Sequence, residues 1–215
     1  ATMGGLVSTR SSGTFSGKYG NVEDLVVALD IVLASGDIVR TPRTVRSATG
    51  PDVKQIFIGA EGALGVITKV TVRVFQLPQL RWFGRYTLPS IDSGVEAIRN
   101  VYANHLRPAV LRLYDATEAA FLYSRVESKE TAPLLIVGHE GRTAMVEAER
   151  VELESMLVEH GGRALGTSIG DAWERHRFDA SWLDTGNAGP ARLADAIEVS
   201  AFWPSLAPLY HEAMR

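Results

Sequence analysis

The spacing of apolar side chains along the chain predicts a series of short strands and helices. Apolar runs rich in β-branched residues, and strict alternation of apolar and polar positions, indicate strands, whereas apolar residues three to four positions apart indicate helices. Before Pro78 the predicted elements are a hairpin of strands 25–33 and 38–40, a short helix at 52–58 and a strand at 66–74. Residues 1–24 are rich in Gly, Ser and Thr, which predicts loops with exposed backbone amides.

Beyond the breaker at residues 76–79 (QLPQ), strand and helix patterns alternate, which predicts a domain boundary near Pro78. The predicted elements are strands 81–88, 109–113 and 132–137, an edge strand at 163–165, and helices 91–104 and 143–160. This order is typical of an α+β layer with helices on one face of a sheet.

Composition excludes several kinds of chemistry. The chain has 215 residues, a formal net charge of −3 and no cysteine, so disulfides, thiolate metal sites and cysteine nucleophiles are ruled out. No run of basic residues is dense enough to favour nucleic acid, and no apolar run predicts a transmembrane segment. His139-Glu140 begins like the zinc motif H-E-x-x-H, but Thr143 stands where the second histidine belongs, so no metal site is predicted.

Two glycine-rich segments, residues 3–13 and 59–66, are candidate ligand loops. Their small residues let backbone N–H groups approach a ligand, and the first also offers hydroxyls and a guanidinium for phosphate or ribose oxygens. Neither has the spacing of a P-loop or of the G-x-G-x-x-G dinucleotide motif. Each segment taken alone is equally consistent with tight turns made by glycine.

Four blocks in order resemble the FAD-binding domain of the vanillyl-alcohol-oxidase type flavoproteins: 5–13 (GLVSTRSSG), 19–27 (YGNVEDLVV), 49–52 (TGPD) and 59–68 (GAEGALGVIT). Within that superfamily, the resemblance is greatest to the alkyldihydroxyacetonephosphate synthase (alkylglycerone-phosphate synthase) family and its bacterial FAD-linked oxidase relatives. It implies an α+β fold in which residues 1–77 are the second half of a PCMH-type FAD-binding domain. Residues 78–215 would then be a truncated, ferredoxin-like α+β cap domain.

The resemblance also implies which residues contact the FAD cofactor. The positions that match the family's pyrophosphate and ribityl loop are Thr9, Arg10, Ser11 and Ser12. The positions that match the loop at the adenosine end are Ala60, Glu61, Gly62, Ala63, Leu64, Gly65 and Val66. Alanine replaces the family's usual serine at position 60 and its usual threonine at position 63, so hydroxyl contacts are absent there, whereas backbone contacts remain available.

In the cap, residues 108–115 (PAVLRLYD) resemble a family strand that carries an arginine, here Arg112. Arg112 is therefore a candidate substrate contact, the alternative being a structural ion pair with Asp115. Residues 177–183 resemble the segment that precedes a second substrate-binding arginine, but Asp184 occupies that place. A carboxylate there would repel an anionic substrate, which weakens the transfer of synthase activity unless Arg192 supplies the charge.

The family's Pro-Gly-Gly-Gly type loop and its catalytic tyrosine and histidine-rich segments have no counterpart in the sequence. The chain is therefore expected to be an internal fragment with weak or absent FAD binding alone, its catalytic residues lying elsewhere. The predicted parent is a FAD-dependent enzyme resembling the synthases. Alternatives are a FAD-linked 2-hydroxy-acid dehydrogenase and a non-enzymatic α+β binding module.

The same resemblance implies a small-molecule or lipid-like substrate and a homodimer of the full-length protein. The expected location is the cytoplasm, with peripheral membrane attachment left open.

Overall fold

A computed structural model describes residues 1–123, 132–167, 173–174, 177 and 198–215, with the backbone alone at 121–123. The chain divides into two compact units, Ala1–Pro78 and Gln79–Arg215. Each unit has its own antiparallel sheet.

The first unit consists of short helices around a three-stranded sheet of order β2-β1-β3. Its elements are α1 (Met3–Ser8), α2 (Ser16–Tyr19), α3 (Val22–Leu25), β1 (Val26–Val32), β2 (Ile38–Arg40), α4 (Lys54–Phe57) and β3 (Val66–Val72). The predicted hairpin, helix and alternating strand are present with ends shifted by one or two residues.

The prediction of loops throughout residues 1–24 is wrong, because three short helices form there. The oxygen Oγ1 of Thr2 accepts a hydrogen bond from the Gly5 amide at 3.1 Å and caps α1. At the start of α3 the Asn21 amide donates to Oδ2 of Asp24 at 2.9 Å. Caps of this kind satisfy the free amides of a first turn, so they allow helices in a segment whose composition favours loops.

The core of the first unit joins α1 to the sheet. Val7 of α1 is fully buried with Leu29 and Ile31 of β1, and Ile58 belongs to the same cluster. Val7 lies within the first glycine-rich segment and Ile58 immediately precedes the second, so their burial in one cluster brings the two segments to the same side of the unit.

The second unit is a sheet of order β5-β6-β4-β7 with helices packed against it. Its elements are β4 (Leu80–Thr87), α5 (Ile91–Ala103), β5 (Val110–Tyr114), α6 (Ala116–Tyr123), β6 (Leu134–Gly141), α7 (Thr143–Glu159), β7 (Arg163–Ala164) and α8 (Trp203–Ala213). Apart from α6, the path from β4 to β7 is the βαββαβ path of a ferredoxin-like layer. The predicted α+β fold class is confirmed, whereas α6 and α8 were not predicted.

The two faces of the second sheet have different surroundings. On one face, Tyr86 and Val137 pack against Val101 of α5 and Leu153 and Leu157 of α7 in a continuous apolar core. Side chains alternate along a strand, so the remaining residues of β4, β5 and β6 point to the opposite side. We call this side the outer face; it carries Phe83, Arg112, Tyr114, Ile136 and Glu140.

Candidate functional site

The first predicted ligand segment is the turn that follows α1. Thr9 donates a hydrogen bond through Oγ1 to the Gly5 carbonyl at 3.0 Å, and its hydroxyl lies 2.8 Å from that of Ser11. Ser12 donates through Oγ to Oδ1 of Asn21 at 2.7 Å. The hydroxyls of this segment are therefore ordered by the end of α1 and by the start of α3.

The second predicted segment leads from α4 into β3 and is made of successive turns. Gly59, Glu61, Gly62 and Gly65 all have positive φ, and Glu61 at +48° adopts a conformation that a residue with a side chain rarely takes. A Cβ atom on Gly65 would lie 2.7 Å from the carbonyl oxygen of Val32. Glycine is thus required at position 65 by close backbone contact.

Hydrogen bonds join these two segments side by side. The Gly59 amide donates to the Val7 carbonyl at 3.0 Å, and the Glu61 amide donates to the Ser8 carbonyl at 2.9 Å. The guanidinium of Arg10 reaches the Ile58 carbonyl at 3.4 Å, across 48 positions of sequence.

Arg10 also determines how closely the two segments approach. A Cβ atom on Gly59 would lie 3.2 Å from both Cβ and Nε of Arg10. Arg10 itself has a φ of +50°, a left-handed conformation that a residue with a side chain rarely takes. The structure thus places side by side the two segments that carry the eleven predicted cofactor contacts.

The groups that these loops expose match the chemistry of FAD. Within the described residues, the backbone amides of Ser12, Gly62 and Leu64 donate to no protein acceptor, and all three residues are exposed. Exposed amides without a protein acceptor suit phosphate oxygens. The exposed carboxylate of Glu61 suits ribose hydroxyls. The residues present therefore fit a dinucleotide, and individual contacts to FAD stay predictions.

Arg112 lies exposed on the outer face of the second sheet. Its guanidinium carbon is 5.1 Å from the centre of the Tyr114 ring. The alternative prediction, an ion pair between Arg112 and Asp115, is wrong. Asp115 instead accepts the Glu118 amide at 2.7 Å, which caps α6, and the Tyr210 hydroxyl at 3.1 Å.

Glu118 in the first turn of α6 interacts electrostatically with Arg112. Burial raises the pKa of the Glu118 carboxyl, and the positive charge of Arg112 opposes that rise. The other sequence-predicted features of the cap, Asp184 and Arg192, lie outside the described residues, as does most of the segment 177–183.

Sequence reasoning missed the contact between Tyr114 and Trp173. Nε1 of Trp173 donates to the Tyr114 hydroxyl at 2.9 Å, and both side chains are buried. The alternation of residues 110–114 shows that Arg112 and Tyr114 share a face, but no sequence signal places a residue 59 positions away beside them.

Two protein-family descriptions match the chain. The description "FAD linked oxidases, C-terminal domain" matches residues 77–214, which is more than half of the chain. The description "FAD binding domain" matches residues 1–42. The chain belongs to the FAD-linked oxidase family. FAD is the cofactor of this family, and the assignment favours an enzyme over a non-enzymatic binding module.

Individual relatives agree with this family. The chain is 45% identical over 54% of its length to alkyldihydroxyacetonephosphate synthase of Caenorhabditis elegans, covering 19% of that protein. It is 39% identical over its full length to the uncharacterized FAD-linked oxidoreductase YgcU of Escherichia coli (strain K12), covering 45% of it. A solved alkyldihydroxyacetonephosphate synthase superposes with a TM-score of 0.82 at 25% identity, over 99% of this chain and 42% of the other.

The chain spans less than half the length of these relatives. None of the helices that the structure describes combines the length and the apolar character needed to cross a membrane.

Proposed function

We propose that residues 9–12 and 60–66 bind FAD in a flavoenzyme whose activity is of the alkyldihydroxyacetonephosphate synthase type. In this proposal residues 1–77 are the second half of the FAD-binding domain and residues 78–215 belong to the cap. The observation that carries it is the joining of two distant glycine-rich segments by backbone hydrogen bonds, with unpaired amides exposed beside them.

Each segment has a separate part in the proposal. The amides of Ser12 and Gly62 hold the diphosphate, and the Ser12 hydroxyl joins them by turning its proton from Oδ1 of Asn21 to a phosphate oxygen. Glu61 accepts hydrogen bonds from the ribose of the adenosine half. Bound FAD supplies the electron-accepting centre of the reaction. The chain's own residues bind and orient that cofactor, and the cap provides Arg112 as a contact for an anionic group of a small-molecule substrate.

Three finer points belong to the same proposal and follow from the resemblance. They are a lipid-like substrate, a homodimer of the full-length protein, and a cytoplasmic location with peripheral attachment to a membrane. FAD-linked 2-hydroxy-acid dehydrogenase activity is the competing prediction. Anaerobic bleaching of the flavin-loaded full-length protein by D-lactate or glycolate supports the dehydrogenase, whereas incorporation of a long-chain alcohol by that protein supports the synthase.

A fluorescence polarisation titration of FAD with the chain tests the cofactor proposal. We expect saturable but weak binding, with a dissociation constant above the micromolar range, because the chain offers only part of the contacts available in the longer relatives. The double variant Ser12→Ala, Glu61→Ala should weaken binding further, by about fivefold for each lost hydrogen bond of about 1 kcal/mol.

The matched control is Ser35→Ala, Asp37→Ala at the exposed turn between β1 and β2, where Ser35 donates to Asp37 at 2.7 Å. This pair of substitutions has the same chemistry but lies outside the two loops, so FAD affinity should stay unchanged. Equal affinity of the loop variant and the turn variant would contradict the proposed site. Absence of any polarisation change up to millimolar chain would contradict FAD binding by these loops.

A further inference from the structure

Tyr114 is held in one orientation on the outer face of the second sheet. Its side chain is buried, and its hydroxyl accepts the hydrogen bond from Nε1 of Trp173 at 2.9 Å. Trp173 is itself buried and lies against Phe83, with ring centroids 5.8 Å apart. A buried ring with a satisfied polar end has little freedom to rotate, so Tyr114 is a rigid support for its neighbours.

The neighbour that this support contacts is Arg112, two residues earlier on β5. The guanidinium carbon of Arg112 is 5.1 Å from the centre of the Tyr114 ring, which is within the range of a cation–π interaction. Arg112 is exposed, so its long side chain would otherwise sample many rotamers. The ring therefore restricts the position of the charge without covering it.

Asp115, the residue that follows Tyr114 in the chain, does not pair with Arg112, and Glu118 acts on Arg112 only through its charge. Asp115 caps α6 through the Glu118 amide and accepts the Tyr210 hydroxyl. Arg112 forms no ion pair within the part of the chain that the structure describes. Arg112 also forms a side-chain hydrogen bond with Tyr114. A guanidinium has five N–H donors, so the ring and one hydroxyl leave most of them available, whereas a carboxylate would occupy two and cancel the charge.

We propose that Tyr114, held by Trp173, is a positioning residue that orients the Arg112 guanidinium toward an oxyanion of the substrate. The group recognised is a carboxylate or a phosphate, because the planar donor pair of an arginine matches either one. This inference rests on the proposed function, in which Arg112 contacts the substrate, and adds the residues that prepare Arg112 for that contact.

Arginine side-chain NMR of the full chain labelled with ¹⁵N tests this inference. The Nε–H resonance of Arg112 is assigned by its loss in Arg112→Lys. In the wild type we expect an ordered Nε, seen as a high heteronuclear NOE, and a saturable shift on titration with inorganic phosphate or, separately, with acetate. The anion that binds more tightly identifies the preferred group.

In Tyr114→Leu the NOE of Arg112 Nε should fall, and the affinity for the anion should drop by about two- to fivefold, as expected for loss of one cation–π contact. In Trp173→Phe the ring of Tyr114 stays but its hydrogen bond is lost. The fall in the NOE and the loss of anion affinity should then both be present, but smaller than in Tyr114→Leu. This second variant carries the test if Tyr114→Leu does not fold, as judged by circular dichroism.

The matched control is Tyr102→Leu on α5, where the guanidinium carbon of Arg107 lies 6.0 Å from the Tyr102 ring. This variant should change the resonance of Arg107 and leave that of Arg112 as in the wild type. An unchanged NOE and anion affinity in Tyr114→Leu and Trp173→Phe would overturn the positioning role of Tyr114. A wild-type chain in which neither anion shifts Arg112 would instead overturn the substrate contact assigned to Arg112 in the proposed function.

Discussion

In the first unit the candidate site is built from backbone, and in the second it is built from side chains. Residues 59–65 include four residues with positive φ, and the loop is joined to its partner segment mainly through amides and carbonyls. On the outer face of the second sheet, by contrast, regular strands present Arg112, Tyr114 and the pair Arg81–Glu140. The first arrangement suits a cofactor shared by a whole family, and the second allows one substrate group to be recognised by a few exchangeable residues.

The hydrophobic cores of the two units also differ, in their extent. The fully buried cluster of the second unit extends over β4, β6, α5 and α7, whereas that of the first unit consists of Val7, Val26, Leu29, Ile31 and Ile58. Substitutions in the second unit should therefore act through packing. Substitutions in the first unit should act through loop geometry.

The largest expected effect is in the packed layer of the second unit. Leu153 of α7 is fully buried, and Leu153→Ala should lower the free energy of unfolding by about 2–5 kcal/mol because it leaves a cavity. Val151→Ala, two residues away on the same helix but 61% exposed, should stay within about 0.5 kcal/mol. Urea unfolding followed by circular dichroism measures both; similar losses in the two variants would contradict the assigned core.

The next effect concerns the loop of the first unit. Gly65→Ala should cost about 1–3 kcal/mol, because φ at this position is +150° and the new Cβ would lie 2.7 Å from the Val32 carbonyl oxygen. Gly36→Ala is the control, since its φ is +88° but no atom lies within 4 Å of the new Cβ. The difference between the two variants in thermal unfolding reports the close contact alone, and it vanishes if the loop does not pack on β1.

A smaller effect is expected at the edge of the outer face. Nε of Arg81 donates to Oε2 of the buried Glu140 at 2.6 Å, and Nη1 donates to Glu174 at 2.8 Å. Arg81→Met should cost about 1–2 kcal/mol, because a buried carboxylate loses a charged donor. In the exposed pair Arg99–Glu96, Arg99→Met should cost less than about 0.5 kcal/mol. Equal costs in urea unfolding would show that burial of Glu140 has no energetic consequence.

The last effect is absent at neutral pH and appears only in alkaline solution. Burial, reinforced by the nearby charge of Glu154, raises the pKa of Tyr86 to about 12 from 10.0. The folded protein then keeps a proton that the unfolded chain loses, so the free energy of unfolding should fall as pH rises from about 10 to about 12. Tyr86→Phe should make this fall shallower in urea unfolding measured across that range, and an unchanged slope would contradict the burial of the phenol.

Sequence patterns predicted most of the regular elements because their spacing reflects burial. The alternation at 66–74 and the apolar face at 143–160 correspond to β3 and α7. The three helices within residues 1–24 were missed, since local caps such as Thr2 and Asp24 outweigh a loop-like composition. Helix α8 was also missed, because it contains Pro204 and Pro208 and so lacks a continuous helical pattern.

The candidate site, like the fold, could be predicted only in part from the sequence. The two glycine-rich loops could be predicted from the sequence because the chain resembles the family in short motifs, such as residues 59–68. Their joining through Val7 and Ser8 carbonyls depends on tertiary packing, which no local pattern reports. The sequence suggested Asp115 as the partner of Arg112, and only the structure shows that the capping of α6 takes that carboxylate.

The central claim is that the two loops of the first unit receive opposite halves of FAD, and amide NMR of the ¹⁵N-labelled chain tests it most directly. Separate titrations with ADP and with FMN distinguish the halves. The account predicts that ADP shifts the amides of residues 60–66 and, through the diphosphate, that of Ser12. FMN should shift mainly the amides of residues 9–12, and ADP should leave the second unit unaffected. Shifts absent from both loops, or confined to residues 79–215, would contradict it.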